Sequence, residues 1–149
     1  MSDLPYFARN ILAALMLDAH TGAATVLALE GDLGAGKTTF VQALARELSV
    51  REVVQSPTYV LMKVYPLELS DASANTNTKF TKLVHIDAYR LESPEEFDAL
   101  RPQEFLDDPQ TLMVVEWPEK LGDRLPKPDM VLKFSANSMA PEERDIDAV

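Results

Sequence analysis

Cysteine is absent from this chain of 149 residues. Without a thiol, neither a disulfide framework nor a cysteine-based zinc site can exist, and the composition suits a reducing cytosol. Long apolar runs are missing as well: no stretch approaches the ~18 consecutive apolar residues of a membrane span. Residues 1–20 carry Asp3, Arg9 and Asp18 across an interrupted apolar pattern, unlike a signal peptide. The expectation is a soluble, cytoplasmic protein with no membrane partner. Positive charge is scarce too, with 14 Lys and Arg against 24 Asp and Glu, net −10. The imbalance is concentrated in the second half: residues 1–84 hold 8 acidic and 7 basic side chains, net −1, and residues 85–149 hold 16 and 7, net −9. Nucleic-acid binding draws most of its free energy from Lys and Arg neutralising phosphates, so this acidity argues against the chain gripping RNA alone. A basic protein partner fits the charge, and so does plain solubility. No internal repeat or second domain is signalled. A single domain over residues 1–149 hides about 70% of its unfolded surface, enough for a core that needs no staple.

Glycine numbers only five, yet three of them, Gly31, Gly34 and Gly36, fall in one stretch. The apolar run Thr25 to Glu30 reads as a buried strand, leads into Gly31-x-x-x-x-Gly36-Lys37-Thr38, and is followed by the helical pattern Phe40 to Leu48. That is a P-loop in its structural setting. Glycine lets the main chain approach a phosphate, so the N–H groups of Asp32, Leu33, Gly34, Ala35, Gly36, Lys37, Thr38 and Thr39 can converge on one anion. The positive end of the following helix adds to this. Lys37 is placed to reach the β- and γ-phosphates and the Thr38 hydroxyl to ligate Mg²⁺. A triphosphate with Mg²⁺ is the expected ligand. Guanine selection normally uses an Asn-Lys-x-Asp segment; none exists in the chain, which favours ATP over GTP.

Around this motif the periodicity predicts a covering helix over residues 4–17 and strands over 60–65, from Phe80 to Asp87, over 111–115 and over 130–134. Ser93-Pro-Glu-Glu96 predicts a short helix, with Ser93 as cap, Pro94 in first position and Glu96 closing a capping box. Residues 66–79 read as a flexible loop and 136–149 as a polar tail. Alternating strands and helices with an all-apolar strand at 111–115 predict an α/β three-layer sandwich with a mostly parallel central sheet.

Ligands of such sheets sit outside the carboxyl ends of the strands. Two strands there end in acids, Asp87 and Glu116, and a carboxylate stranded after apolar residues is costly unless a cation or donor satisfies it. Phosphoryl-transfer chemistry gives them roles: Asp87 on Mg²⁺, directly or through water, and Glu116 on the attacking water, with both in the metal's neighbourhood. The two roles can also be exchanged. Ser56-Pro57-Thr58 is an extended loop after the P-loop helix, where Thr58 is the candidate to close on Mg²⁺ and the γ-phosphate; an ordinary turn is the other reading. His85 is expected to brace Asp87 by hydrogen bonding, titration in catalysis being the other reading, and Arg90 to pair with a local acid such as Glu92 or Glu95, neutralising developing charge being the other. Trp117, the one tryptophan, either lines the nucleotide pocket, faces a partner, or packs in the core.

With these residues in view, the chain resembles the bacterial TsaE (YjeE) family, small ATPases of tRNA threonylcarbamoyladenosine biosynthesis. Four segments carry the resemblance, in order: Gly31 to Thr39, Ser56-Pro-Thr-Tyr59, His85-Ile-Asp-Ala-Tyr-Arg90 and Val115-Glu-Trp-Pro-Glu119. It implies that Lys37, Thr38, Thr58, Asp87, Glu116 and Trp117 occupy the family's nucleotide and metal positions. It also implies an ATPase that is slow alone and drives turnover of a TsaD–TsaB pair, meeting tRNA only through those partners. The chain departs from the family pattern in its long 66–79 loop, in the lack of a glycine within Leu100 to Leu106, and in a tail that keeps little beyond Glu143-Arg144. The competing readings are a small-molecule or nucleotide kinase, which would need an arginine-bearing lid not visible in the sequence, a GTP switch, and a nucleotide-gated docking module.

Overall fold

The structure is a computed structural model that describes residues 3–17, 22–55, 61–68, 78–136, 139 and 144–149. Six strands form one sheet: β1 Thr25–Gly31, β2 Met62–Pro66, β3 Lys82–Asp87, β4 Thr111–Glu116, β5 Met130–Ala136 and β6 Arg144–Ala148. Their spatial order is β2-β3-β4-β1-β5-β6. The four inner strands are parallel and the two edge strands antiparallel to their neighbours. Parallel strands are buried on both faces, which is why β4 is apolar from Leu112 to Val115 without alternation and wholly buried.

Strand geometry sends successive side chains to opposite faces and so divides the core in two. Leu27, Leu29, Leu83, Leu112, Val114, Leu132 and Phe134 face helices α1 (Leu4–Leu17) and α2 (Lys37–Glu47), and Phe40 sits at the centre of that cluster. Val26, Val84, Ile86, Met113 and Val115 face the other way, onto Phe97 of the short helix α3 (Glu95–Ala99) and Leu106 of α4 (Gln103–Leu106). Helices on both faces of a mostly parallel sheet give the three layers that the sequence pattern predicts.

Three local readings are changed by the structure. Residues 144–148, taken as part of a polar tail, pair antiparallel with β5 as an edge strand: Ile146 lies opposite Phe134 and packs at the core margin, while the acidic residues beside it conceal the strand in a one-dimensional reading. Residues 103–106 form a helical turn of their own, too short to have a readable period. In α3, Pro94 has helical dihedrals as expected, but the Glu96 carboxylate accepts from the Glu92 N–H at 3.4 Å and no side chain caps the helix. Arg101, where a glycine would be easiest, adopts φ 51° after α3. Residues 69–77 of the 66–79 loop, and 56–60, which include Thr58, lie outside the described residues.

Candidate active site

The strand β1 ends at Gly31, and its place in the sheet determines what surrounds that end. Leu29 is in register with Glu116 of β4, and Glu116 in turn with Asp87 of β3. The parallel register therefore sets both carboxylates beside the P-loop at the carboxyl edge. Glu116 shares its face with Leu112 and Val114, Asp87 with Leu83 and His85, and that is the face α2 covers.

Glycine permits the turn. Gly34 and Gly36 have φ of 77° and 99°, angles that a side chain rarely adopts. Gly31 has φ 144° and is constrained by contact as well: a Cβ there would lie 2.5 Å from the Phe134 carbonyl oxygen of β5. The residues from Leu33 to Thr39, with Asp87, Glu116 and Trp117, line one cavity of about 210 Å³. Asp32 lines a neighbouring pocket of about 320 Å³, together with Glu30, Gly31, Glu119 and Trp117.

Lys37 is buried, with 4% of its surface exposed. Its ammonium donates to the Gly31 carbonyl and, at 2.9 Å, to the Asp32 carbonyl, and stands 4.4 Å from the Trp117 ring centroid. Burial pushes its pKa below the ordinary lysine value, and the surrounding carboxylates of Glu116, Asp87, Glu119 and Asp32 partly oppose this. The cost of keeping it charged is present at neutral pH and fades only as pH rises through its folded pKa towards the unfolded value. An anion seated against it would remove the same cost. Trp117 takes φ 60°, an uncommon conformation for a bulky residue that holds its ring against Lys37, and Tyr89 packs on it at 5.1 Å between centroids.

Glu116, 3% exposed, is held from two sides. The Thr38 hydroxyl lies 3.0 and 3.2 Å from its two oxygens, and His85 Nε2 lies 2.6 Å from Oε2. His85 thus meets Glu116, not Asp87 as the sequence suggests; two-residue spacing puts His85 and Asp87 on one face, but only the β3–β4 register says which acid the imidazole reaches. Asp87 accepts from the Tyr89 N–H at 3.1 Å. Among the described residues Arg90 makes no ion pair, and Glu95 is held instead by Arg124 at 3.1 Å. Glu119, near Lys37, is a charge the sequence reading passed over.

The donors here are a hydroxyl and two carboxylates, all hard oxygens. Among the described residues no group of three His, Asp or Glu could cage a metal by itself. That suits Mg²⁺, which is ordinarily held by one or two carboxylates together with substrate phosphates and water.

A mostly parallel sheet whose first strand turns through this glycine loop into a helix defines the P-loop NTPase class of α/β proteins. The family model described as "Threonylcarbamoyl adenosine biosynthesis protein TsaE" matches residues 7–146. The chain belongs to the TsaE family. It is 32% identical over 122 residues to the tRNA threonylcarbamoyladenosine biosynthesis protein TsaE of Haemophilus influenzae, covering 82% of this chain and 70% of that one. To the protein of the same name from Bacillus subtilis it is 37% identical over 102 residues, 68% of this chain and 56% of the relative. The crystal structure of Bacillus subtilis YdiB superposes with a TM-score of 0.62 at 27% identity, over 95% of this chain and 77% of that one.

Proposed function

We propose that the chain, acting as one domain over residues 1–149, binds and hydrolyses Mg²⁺·ATP as an accessory protein of tRNA N6-threonylcarbamoyladenosine modification. The single observation that carries this reading is the shared cavity: Lys37 and Thr38 of the P-loop and the strand-end acids Asp87 and Glu116 all border it. Family membership supplies the pathway.

The backbone N–H groups from Asp32 to Thr39 cradle the phosphates. Lys37 leaves the carbonyls of Gly31 and Asp32 to pair with the β- and γ-phosphates, exchanging two neutral acceptors for an anion. Bound Mg²⁺ neutralises charge on the phosphate oxygens, and Thr38, Asp87 and Glu116 are the residues that would hold it. Glu116 orients the attacking water as hydrogen-bond acceptor, Thr58 closes the site, and Trp117 borders the nucleotide. The protein works in the cytoplasm on a TsaD–TsaB-like complex, driving its turnover, and meets tRNA through those partners, as its acidic charge favours.

Phosphate release should be measured for the chain alone, then with a TsaD–TsaB complex, with and without tRNA. If Thr58 and its loop need a partner to close, turnover alone should be slow and the complex should accelerate it. Glu116→Ala should still bind ATP yet hydrolyse it about 10²-fold more slowly or worse, the usual scale for losing a group that handles the reacting proton. Unchanged turnover would remove Glu116 from that role. Rapid turnover alone, or phosphate appearing on an added nucleoside, would favour a kinase.

A further inference from the structure

A wholly buried imidazole in the middle of a sheet needs a reason. His85 has no exposed surface and sits on β3 between Val84 and Ile86, where an apolar side chain would avoid the cost of desolvating a polar ring. It does not line the cavity. Among the described residues its imidazole has one hydrogen bond, at 2.6 Å, to Glu116 Oε2. Asp87 is opposite Glu116 in the register and His85 opposite Val114, so the imidazole approaches the carboxylate diagonally, from two residues back along the sheet. The Thr38 hydroxyl approaches from α2. That hydroxyl is the proposed metal donor, so its bond to Glu116 has a competitor when nucleotide binds. The bond from His85 comes from the buried side, away from the cavity.

We propose that His85 is a positioning residue for ATP hydrolysis. Its Nε2–H donates to Glu116 Oε2 and fixes the rotation of the carboxylate, leaving Oε1, the oxygen nearer Thr38, as acceptor for the attacking water. An ionised carboxylate only accepts, so the shared hydrogen belongs to the imidazole. Nδ1, buried and without a partner among the described residues, then carries a lone pair and not an unpaired N–H. The inference rests on the reading of Glu116 given above.

The test compares kcat and ATP Kd in wild type, His85→Gln, His85→Asn and Glu116→Gln, with thermal unfolding to establish that each variant is folded. The amide nitrogen of Gln reaches about as far as Nε2, whereas that of Asn stops near the place of Nδ1. His85→Asn should lose about 10–100-fold in kcat, the scale for removing a group that orients an active-site ligand, with Kd unchanged. His85→Gln should recover most of that loss. Wild-type kcat in His85→Asn, or a Gln variant no better than Asn, would overturn the proposal. Loss of turnover in Glu116→Gln with none in His85→Asn strikes this inference alone; unaltered turnover in Glu116→Gln strikes the reading of Glu116 and takes this inference with it. A readout independent of turnover and of variant folding is the imidazole ¹⁵N–¹H spectrum of the wild-type protein. A protonated, strongly hydrogen-bonded Nε2 and an unprotonated Nδ1 should persist when a non-hydrolysable ATP analogue binds. Loss of that signal on binding would overturn the proposal.

Discussion

Lys37 illustrates how much a single side chain's setting adds to its identity. Buried against two carbonyl oxygens and the face of Trp117, its ammonium is already desolvated, so a phosphate that meets it displaces weak partners and not bulk water. Lys37→Ala should weaken ATP binding by about 10- to 150-fold, the equivalent of the 1.5–3 kcal/mol of one charged hydrogen bond. Titration followed by the fluorescence of Trp117 would measure it, since that cavity-lining side chain is the only tryptophan. Wild-type affinity would detach the lysine from the nucleotide. The P-loop residues were legible because each type does something few others can: glycine takes φ near 77° and 99°, and lysine carries a mobile charge. By residue type and position Trp117 was legible only as three alternatives, and the family resemblance alone assigned it to the nucleotide site. Its left-handed backbone and its tilted contact with Tyr89 depend on the turn out of β4 and on the loop after β3, which no local pattern specifies.

Among the elements, α2 joins the site to the core. Thr38 at its start bonds Glu116, while Phe40, two residues further on and fully buried, meets Phe7 of α1 and Phe134 of β5 edge-to-face at 5.8 Å each. Phe40→Ala should cost about 3–5 kcal/mol, the range for emptying a buried phenylalanine site, and denaturant unfolding would measure it. A loss below about 1 kcal/mol would mean that the three rings do not form one packed unit. Helices α1 and α2 were readable from apolar residues at helical spacing, and the inner strands from apolar runs that the sheet buries on both faces. The strand β6 was not, because Ile146, its residue at the core margin, lies between two acids, and the turn α4 was not, because four residues are too few to express a helical period. The capping box was read one residue off: the Glu96 carboxylate accepts from the Glu92 N–H and not from that of Ser93.

Across the whole molecule, the net charge of −10 sets what the chain can hold unaided. The isolated protein should not retain tRNA at an ionic strength of about 0.15 M, where weak charge attraction is screened beyond about 8 Å. Filter retention of labelled tRNA would decide it, and binding by the chain alone under those conditions would end the view that partners carry the RNA.

What the sequence determined by itself was the loop, the acids and the layers: chemistry tied to residue type and periodicity tied to neighbours a few positions apart. Tertiary structure decided the pairings over distance. That Glu116 lies between Leu29 and Asp87, that His85 serves Glu116, and that Gly31 must yield to Phe134 all follow from strand order and register. Those are fixed by burying two apolar faces at once. The resulting contacts join residues as far apart in the chain as Gly31 and Phe134, beyond the reach of any local pattern.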